Sequence, residues 1–135
     1  NLTTLLSGAP AAQPVYDYES RLRTNQTTTL HPRPLILVEG ILALSDPRLL
    51  ACYNLKIYLE ADPDLRLARR LLRDLREKRH ETLDYSINQY LTSARPSHKL
   101  FVEPQKAKAD LIIDWNEDNP PALEQVVAII KKGVN

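Results

Sequence analysis

Apolar and polar positions follow two rhythms along this chain, and each predicts a type of element. Leu35–Val38, "LILV", is a continuous apolar run, as expected of a parallel strand covered on both faces. In "NLKIYLEA", residues 54–61, Leu55, Ile57 and Leu59 fall on one side and Lys56, Tyr58 and Glu60 on the other, predicting a second strand. "ADLIID", residues 109–114, predicts a third. The stretch "DPDLRLARRLLRDLREKRH" changes to a helical period, with Leu65, Ala68, Leu72 and Leu75 in one stripe that Leu71 widens. Asp62 caps it, Pro63 takes the first position and Asp64 suits the positive helix end. A further helix is expected from about Thr82 to Ala94, turning Leu83, Ile87, Tyr90, Leu91 and Ala94 inward and closed by Pro96. The last helix has Asn119 as cap, Pro120 and Pro121 at its opening and Gly133 at its end.

Shorter signals fill the rest. Leu2–Leu6 reads as a short helix stopped by Gly8 and Pro10, and "SDPRLL" as another, capped by Ser45 or Asp46. Val15, Tyr16, Tyr18 and the following threonines favour extended structure, so the Pro- and Thr-rich stretch before residue 34 is expected to form a hairpin. Strands separated by helices predict an α/β layered fold with a mostly parallel sheet flanked by helices. No repeat, low-complexity tract or linker divides the 135 residues, so one domain, 1–135, is expected.

Composition narrows the function classes. The net charge of +1 implies no bulk attraction to nucleic acid or to a membrane surface. No apolar run reaches the length of a membrane span, and no signal-peptide pattern is visible. Cys52 is the single cysteine, so a reducing, cytoplasmic setting is the expectation, and the sequons at Asn1 and Asn25 read as chance matches. The chain has no Met at any position. A fragment, a processed product and initiator removal from a Met-poor protein all stay open.

Three places could carry chemistry. Glu39 ends the oily run and precedes Gly40. It reads either as a solvated acid or as a carboxylate beyond a strand's carboxyl end, holding Mg²⁺ directly or through water. Arg66, Arg69, Arg70, Arg73 and Arg76, followed by Lys78, Arg79 and His80, form either a solvated charged face paired with Asp62, Asp64, Asp74 and Glu77 or a set of phosphate ligands. Nucleic acid would want a broader basic surface than this. In "PVYDYESRLR", Tyr16 and Tyr18 flank Asp17, with Arg21 and Arg23 behind. An amphipathic turn and a pocket for a planar ligand both fit. His31, His80 and His98 lack metal-ligand spacing, and no GxSxG, CxxC or HExxH motif occurs.

Taken in order, "PVYDYESRLR", "LILVEGILAL", "DLRLARRLLRDLREKR", "INQYLTSARPSHKLFVEPQKAKADLII" and "DNPPA" resemble the uridine–cytidine kinases of the P-loop kinase superfamily over nearly the whole chain. Phosphoribulokinase shares the architecture but matches the "QYL…RP…FVEP…AD" stretch less well. The resemblance implies part of a three-layer P-loop kinase fold, with a substrate-pocket hairpin over about 10–33 and a lid region over about 66–82. It implies transfer of the γ-phosphate of ATP to the 5′-hydroxyl of uridine or cytidine, with ATP and Mg²⁺ required. Tyr16 and Tyr18 would line the nucleoside pocket with Arg21, and Arg70 and Gln89 would contact the nucleoside. Arg73 would meet the phosphates, Lys78 and Arg79 would lie in the lid over ATP, and Asp118 would approach the adenosine end. Glu39 would stand at the Mg²⁺–phosphate site. Nucleoside and ATP are the implied partners; the family often forms tetramers, so a homo-oligomer is a further expectation.

The chain departs from the family pattern in four ways. No GxxxxGK[ST] loop occurs within it, and the family's catalytic aspartate would precede residue 1. Arg21 stands where the family usually has a base-reading histidine, and the lid reads "EKRH" in place of Glu-Arg-Gly-Arg. The chain by itself is therefore expected to have negligible kinase activity. The alternative is a non-catalytic kinase remnant that binds a nucleotide or a protein partner, and a weaker one is an anion or RNA binder using only the arginine helix.

Overall fold

The computed structural model describes residues 1–17, 22–77 and 82–133. They fall into two compact units, Asn1–Ala43 and Leu44–Asn135.

The first unit holds the expected short helix α1 (Leu2–Leu6) and a hairpin of β1 (Ala11–Asp17) and β2 (Leu22–Leu30), paired antiparallel. Asn1 Nδ2 donates to the Ala12 carbonyl at 2.8 Å and ties the start of α1 to β1. Ala11 pairs with Leu30 and Tyr16 with Arg23, and the register shifts between Pro14 and Tyr16. Pro14 has no N–H to give the ladder, which is why a bulge sits there. Leu5 and Ala11 are this unit's buried apolar residues among those described.

One expectation fails here. Residues 35–38 form no strand, and Leu37 is 86% exposed. An apolar run becomes a strand only when neighbouring strands satisfy its backbone polar groups. Among the described residues no strand pairs with it.

The second unit is built on a parallel pair, β3 (Ile57–Glu60) and β4 (Leu111–Asp114), in the register Ile57 to Leu111 through Glu60 to Asp114. Both strands are shorter than their apolar patterns. Their start is clamped: Lys56 N–H donates to Asp110 Oδ2 at 2.8 Å, and Lys56 Nζ lies 2.8 Å from the same oxygen. The hydrogen bond from the Lys56 ammonium, aided by the backbone N–H, holds the Asp110 carboxyl below its ordinary range. Beyond the pair, Trp115 N–H donates to the Glu60 carbonyl at 2.7 Å. Ile113 of β4 is the most buried apolar side chain described, 4% exposed.

Helix α2 (Pro47–Leu50) is capped by Asp46, which accepts from Arg48 N–H at 2.8 Å. The Arg48 side chain also donates to that carboxylate and lowers its pKa to about 2. Helix α3 (Pro63–Arg76) starts where the sequence predicts; the expected stretch runs on to His80, and residues 78–80 lie outside the described ones. Asp62 occupies its cap position but makes no side-chain cap bond; its own N–H donates to Asn116 Oδ1 at 2.8 Å. The final helix α5 (Pro120–Lys131) keeps its Asn119 cap, which accepts from Ala122 N–H at 3.2 Å, and Gly133 follows with φ +78°, a conformation that favours glycine.

Three expectations are corrected. The α3 stripe does not face inward: Leu72 is 52% and Leu75 60% exposed, and Ala68 is exposed too. The inner face instead carries Arg66, Leu67, Arg70, Leu71 and Asp74. Likewise Pro96 does not end the helix that begins at α4 (Leu83–Gln89), where Thr82 Oγ1 accepts from Tyr85 N–H at 3.2 Å. The chain continues through wide, π-type turns at Tyr90–Ala94 and His98–Val102, with a single α-turn, Arg95–Ser97, between them. Pro96 itself lies in that α-turn, flanked on both sides by the wider i→i+5 turns. Tight turns over Glu103–Lys108 then lead to β4. Leu83 and Leu91, expected inside, are exposed; Ser86 is the buried residue of α4.

Candidate functional site

The richest polar cluster lies where α3 meets α4 and the turns after it. Residues four apart on a helix share a face, so Arg66, Arg70 and Asp74 line up along the inner side of α3. Each finds a partner. Arg70 Nη2 donates to Gln89 Oε1 at the end of α4. Arg70 Nε lies 3.5 Å from Asp74 Oδ2. Arg73, next to Asp74 in sequence, donates to its Oδ1 from Nε at 3.0 Å and from Nη2 at 2.7 Å. Asp74 is only 2% exposed, whereas the Arg73 side chain keeps 46% of its surface open. One buried carboxylate thus holds two guanidinium groups, one turned toward α4 and one partly open to solvent.

At the other end of α3, Arg66 Nη1 donates to the imidazole of His98. A guanidinium only donates, so the accepting ring nitrogen carries no proton. Burial, joined by the charge of Arg66, pushes the His98 pKa down, and Glu103 opposes this weakly. This pair borders a cleft of about 210 Å³ beyond the carboxyl end of β3, lined among others by Tyr58, Glu60, Asp62 and Lys106. Ligands of open α/β sheets bind beyond such strand ends.

The lowered His98 pKa predicts acid sensitivity. The folded protein binds this proton more weakly than the unfolded chain does, so the His98 contribution is complete above the ordinary value of 6.5 and is lost as pH falls below it. His98→Gln should flatten the decline in melting temperature between pH 7 and 5 relative to the parent. An unchanged decline would count against a neutral, buried His98.

The other expected site residues are placed as follows. Tyr16 lies on β1, 46% exposed, opposite Arg23. Glu39 is exposed, beside Gly40 at φ +153°. Asp118 is exposed in the loop after β4, a loop that Arg69 holds by donating to the Trp115 and Asn116 carbonyls at 2.7 and 2.8 Å. Tyr18, Arg21, Lys78 and Arg79 lie outside the described residues. The fold therefore brings Arg70, Gln89 and Arg73 into one cluster. The sequence does not single out Asp74 or His98 as site residues, and it offers Arg66 and Arg69 only as members of the arginine face. The i,i+4 spacing of Arg70 and Asp74 was the available signal for the first of these.

Among the described residues, no three His, Cys, Asp or Glu side chains gather to hold a metal ion. A lone exposed carboxylate such as Glu39 still fits Mg²⁺, which commonly takes one or two protein carboxylates with waters and substrate phosphates. No helix among the described residues is long and apolar enough to cross a membrane.

The family model described as "Phosphoribulokinase / Uridine kinase family" matches residues 1–120. The chain belongs to the phosphoribulokinase/uridine kinase family. It is 48% identical over 119 residues to a uridine kinase of Clostridium botulinum, covering 88% of this chain and 57% of that one. It is 42% identical over 132 residues to a uridine kinase of Oceanobacillus iheyensis (98% and 62% covered) and 44% over 127 to one of Geobacillus kaustophilus (94% and 60%). The chain thus spans about three fifths of the length of these curated relatives.

Proposed function

We propose that the complete protein is an ATP-dependent nucleoside kinase making UMP or CMP from uridine or cytidine, and that residues 1–135 form part of one P-loop kinase domain. The observation that carries this is the Arg70–Gln89 hydrogen bond. It joins two residues nineteen positions apart that the family resemblance assigns to the same ligand, in a chain nearly half identical to uridine kinases.

In this reading Tyr16 and Tyr18 flank the base, Arg21 takes a polar edge of it, and Arg70 and Gln89 hydrogen-bond the nucleoside. The 5′-oxygen attacks the γ-phosphorus, the bond to the β-phosphate oxygen breaks, and ADP leaves. The hydroxyl proton passes to an aspartate that the resemblance places before residue 1. Arg73 offsets charge on the phosphates, aided by Lys78 and Arg79 from the lid, while Asp118 meets the adenosine end. Glu39 would hold Mg²⁺, which neutralises phosphate charge when bound. Most of the rate enhancement comes from alignment and charge neutralisation.

The test is an assay of the complete protein with ATP, Mg²⁺ and either uridine or cytidine. Equimolar ADP and nucleoside monophosphate are expected, and no detectable turnover from the 135-residue chain alone. Nucleotide binding without turnover by the complete protein would favour the non-catalytic remnant.

A further inference from the structure

Asp74 is the described chain's most deeply buried residue with an ionisable side chain, yet no role in ligand contact falls to it. Taking a carboxylate out of water is expensive unless cations and donors surround it. Among the described residues, Arg70 and Arg73 face it. These are the two arginines that the proposed function puts on the nucleoside and on the phosphates. An arginine free to sample its rotamers would lose that freedom on every binding event. Held by a buried anion, both guanidinium groups meet the ligand already oriented.

We infer that Asp74 is a positioning residue: its carboxylate couples Arg70, and through it Gln89, to Arg73, so that the nucleoside and phosphate contacts are aligned as one unit. The inference rests on the proposed kinase reading for its catalytic consequence, but not for the anchoring itself. Three features support it. Asp74 accepts both Nε and Nη2 of Arg73, which fixes the plane of that guanidinium. Arg70 donates to Gln89 through Nη2, and its Nε faces Asp74 Oδ2 across a 3.5 Å ion pair that is not a hydrogen bond. The Arg73 side chain nevertheless stays nearly half open, so the anchor leaves it available to a ligand.

The test compares Asp74→Asn, Arg73→Ala and the double variant in the complete protein. Asparagine keeps the shape and removes the charge. Asp74→Asn should lower kcat/KM by on the order of 10- to 100-fold. The double variant should be less impaired than the product of the two single effects, because part of the carboxylate's action passes through Arg73 and the rest through Arg70. Effects that multiply independently would overturn the inference, since a residue that only supports the fold shows that pattern. An activity-independent reading comes from the NMR signals of the Arg70 and Arg73 Nε–H groups without ligand. Slow exchange with water in the parent, lost in Asp74→Asn, supports the anchor; unchanged exchange overturns it. Should Asp74→Asn give no soluble protein, Asp74→Glu is read in the same two ways. If the parent shows no kinase turnover, the functional reading falls, and the NMR comparison still decides the anchor.

Discussion

Arg73→Ala in the complete protein should lower kcat for nucleoside phosphorylation by on the order of 10²- to 10³-fold, the scale seen when one preorganised charge-stabilising group is deleted. The expectation follows from geometry. Arg73 sits near the end of α3 with its Nε and Nη2 committed to Asp74 and its side chain 46% exposed. In the proposed kinase reading, a guanidinium so fixed would add charge stabilisation as the γ-phosphoryl group transfers, without reorganising first. KM for the nucleoside should change less than kcat, because the nucleoside contacts are assigned to Arg70 and Gln89. Arg73→Lys should recover part of the loss, since it keeps the charge but not the planar two-donor fork. Steady-state kinetics with ATP and uridine separate these outcomes. A kcat within threefold of the parent would remove Arg73 from the phosphate site.

Ile113→Ala should be the most damaging of the apolar truncations, at about 2–4 kcal/mol of unfolding free energy. Ile113 is 4% exposed and lies on β4, directly opposite Leu59 in the parallel pair. In the second unit it shares the buried apolar class only with Leu44 among the described residues. A core this thin has few neighbours able to close a cavity. Leu72→Ala is the control: with Leu72 52% exposed, its truncation should cost well under half as much. Urea titration of the two variants against the parent measures both. Equal losses would mean that Leu72 is covered in the complete protein.

The candidate site was legible in part. The arginine helix, Gln89 and Glu39 could be named because residue type and order carry the family resemblance. The partners could not. Charge spacing offered Asp62, Asp64, Asp74 and Glu77 equally to the arginines, and only packing put Asp74 at 2% exposure between Arg70 and Arg73. His98 looked like an isolated imidazole because its partner, Arg66, lies thirty-two positions away. The parallel pairing of β3 with β4 was foreseen from strands separated by helices, and it is present. The strand expected at Leu35–Val38 was not found, since an apolar run carries no information about whether a pairing strand stands beside it.

By itself the sequence determined where most helices begin and where the last one ends. Asp46, Pro63, Thr82, Asn119 and Gly133 act within one turn, through a cap bond, a fixed φ or a missing side chain, so their neighbours in sequence suffice. Only the tertiary structure decided which face of α3 turns inward. Its leucine stripe argued for Leu72 and Leu75, but the facing elements offer Gln89 and His98, polar acceptors that a leucine cannot use. Arg66, Arg70 and Asp74 therefore turn inward, where long-range hydrogen bonds and mutual ion pairing offset their desolvation. Such partners are distant in sequence, and no local pattern encodes them.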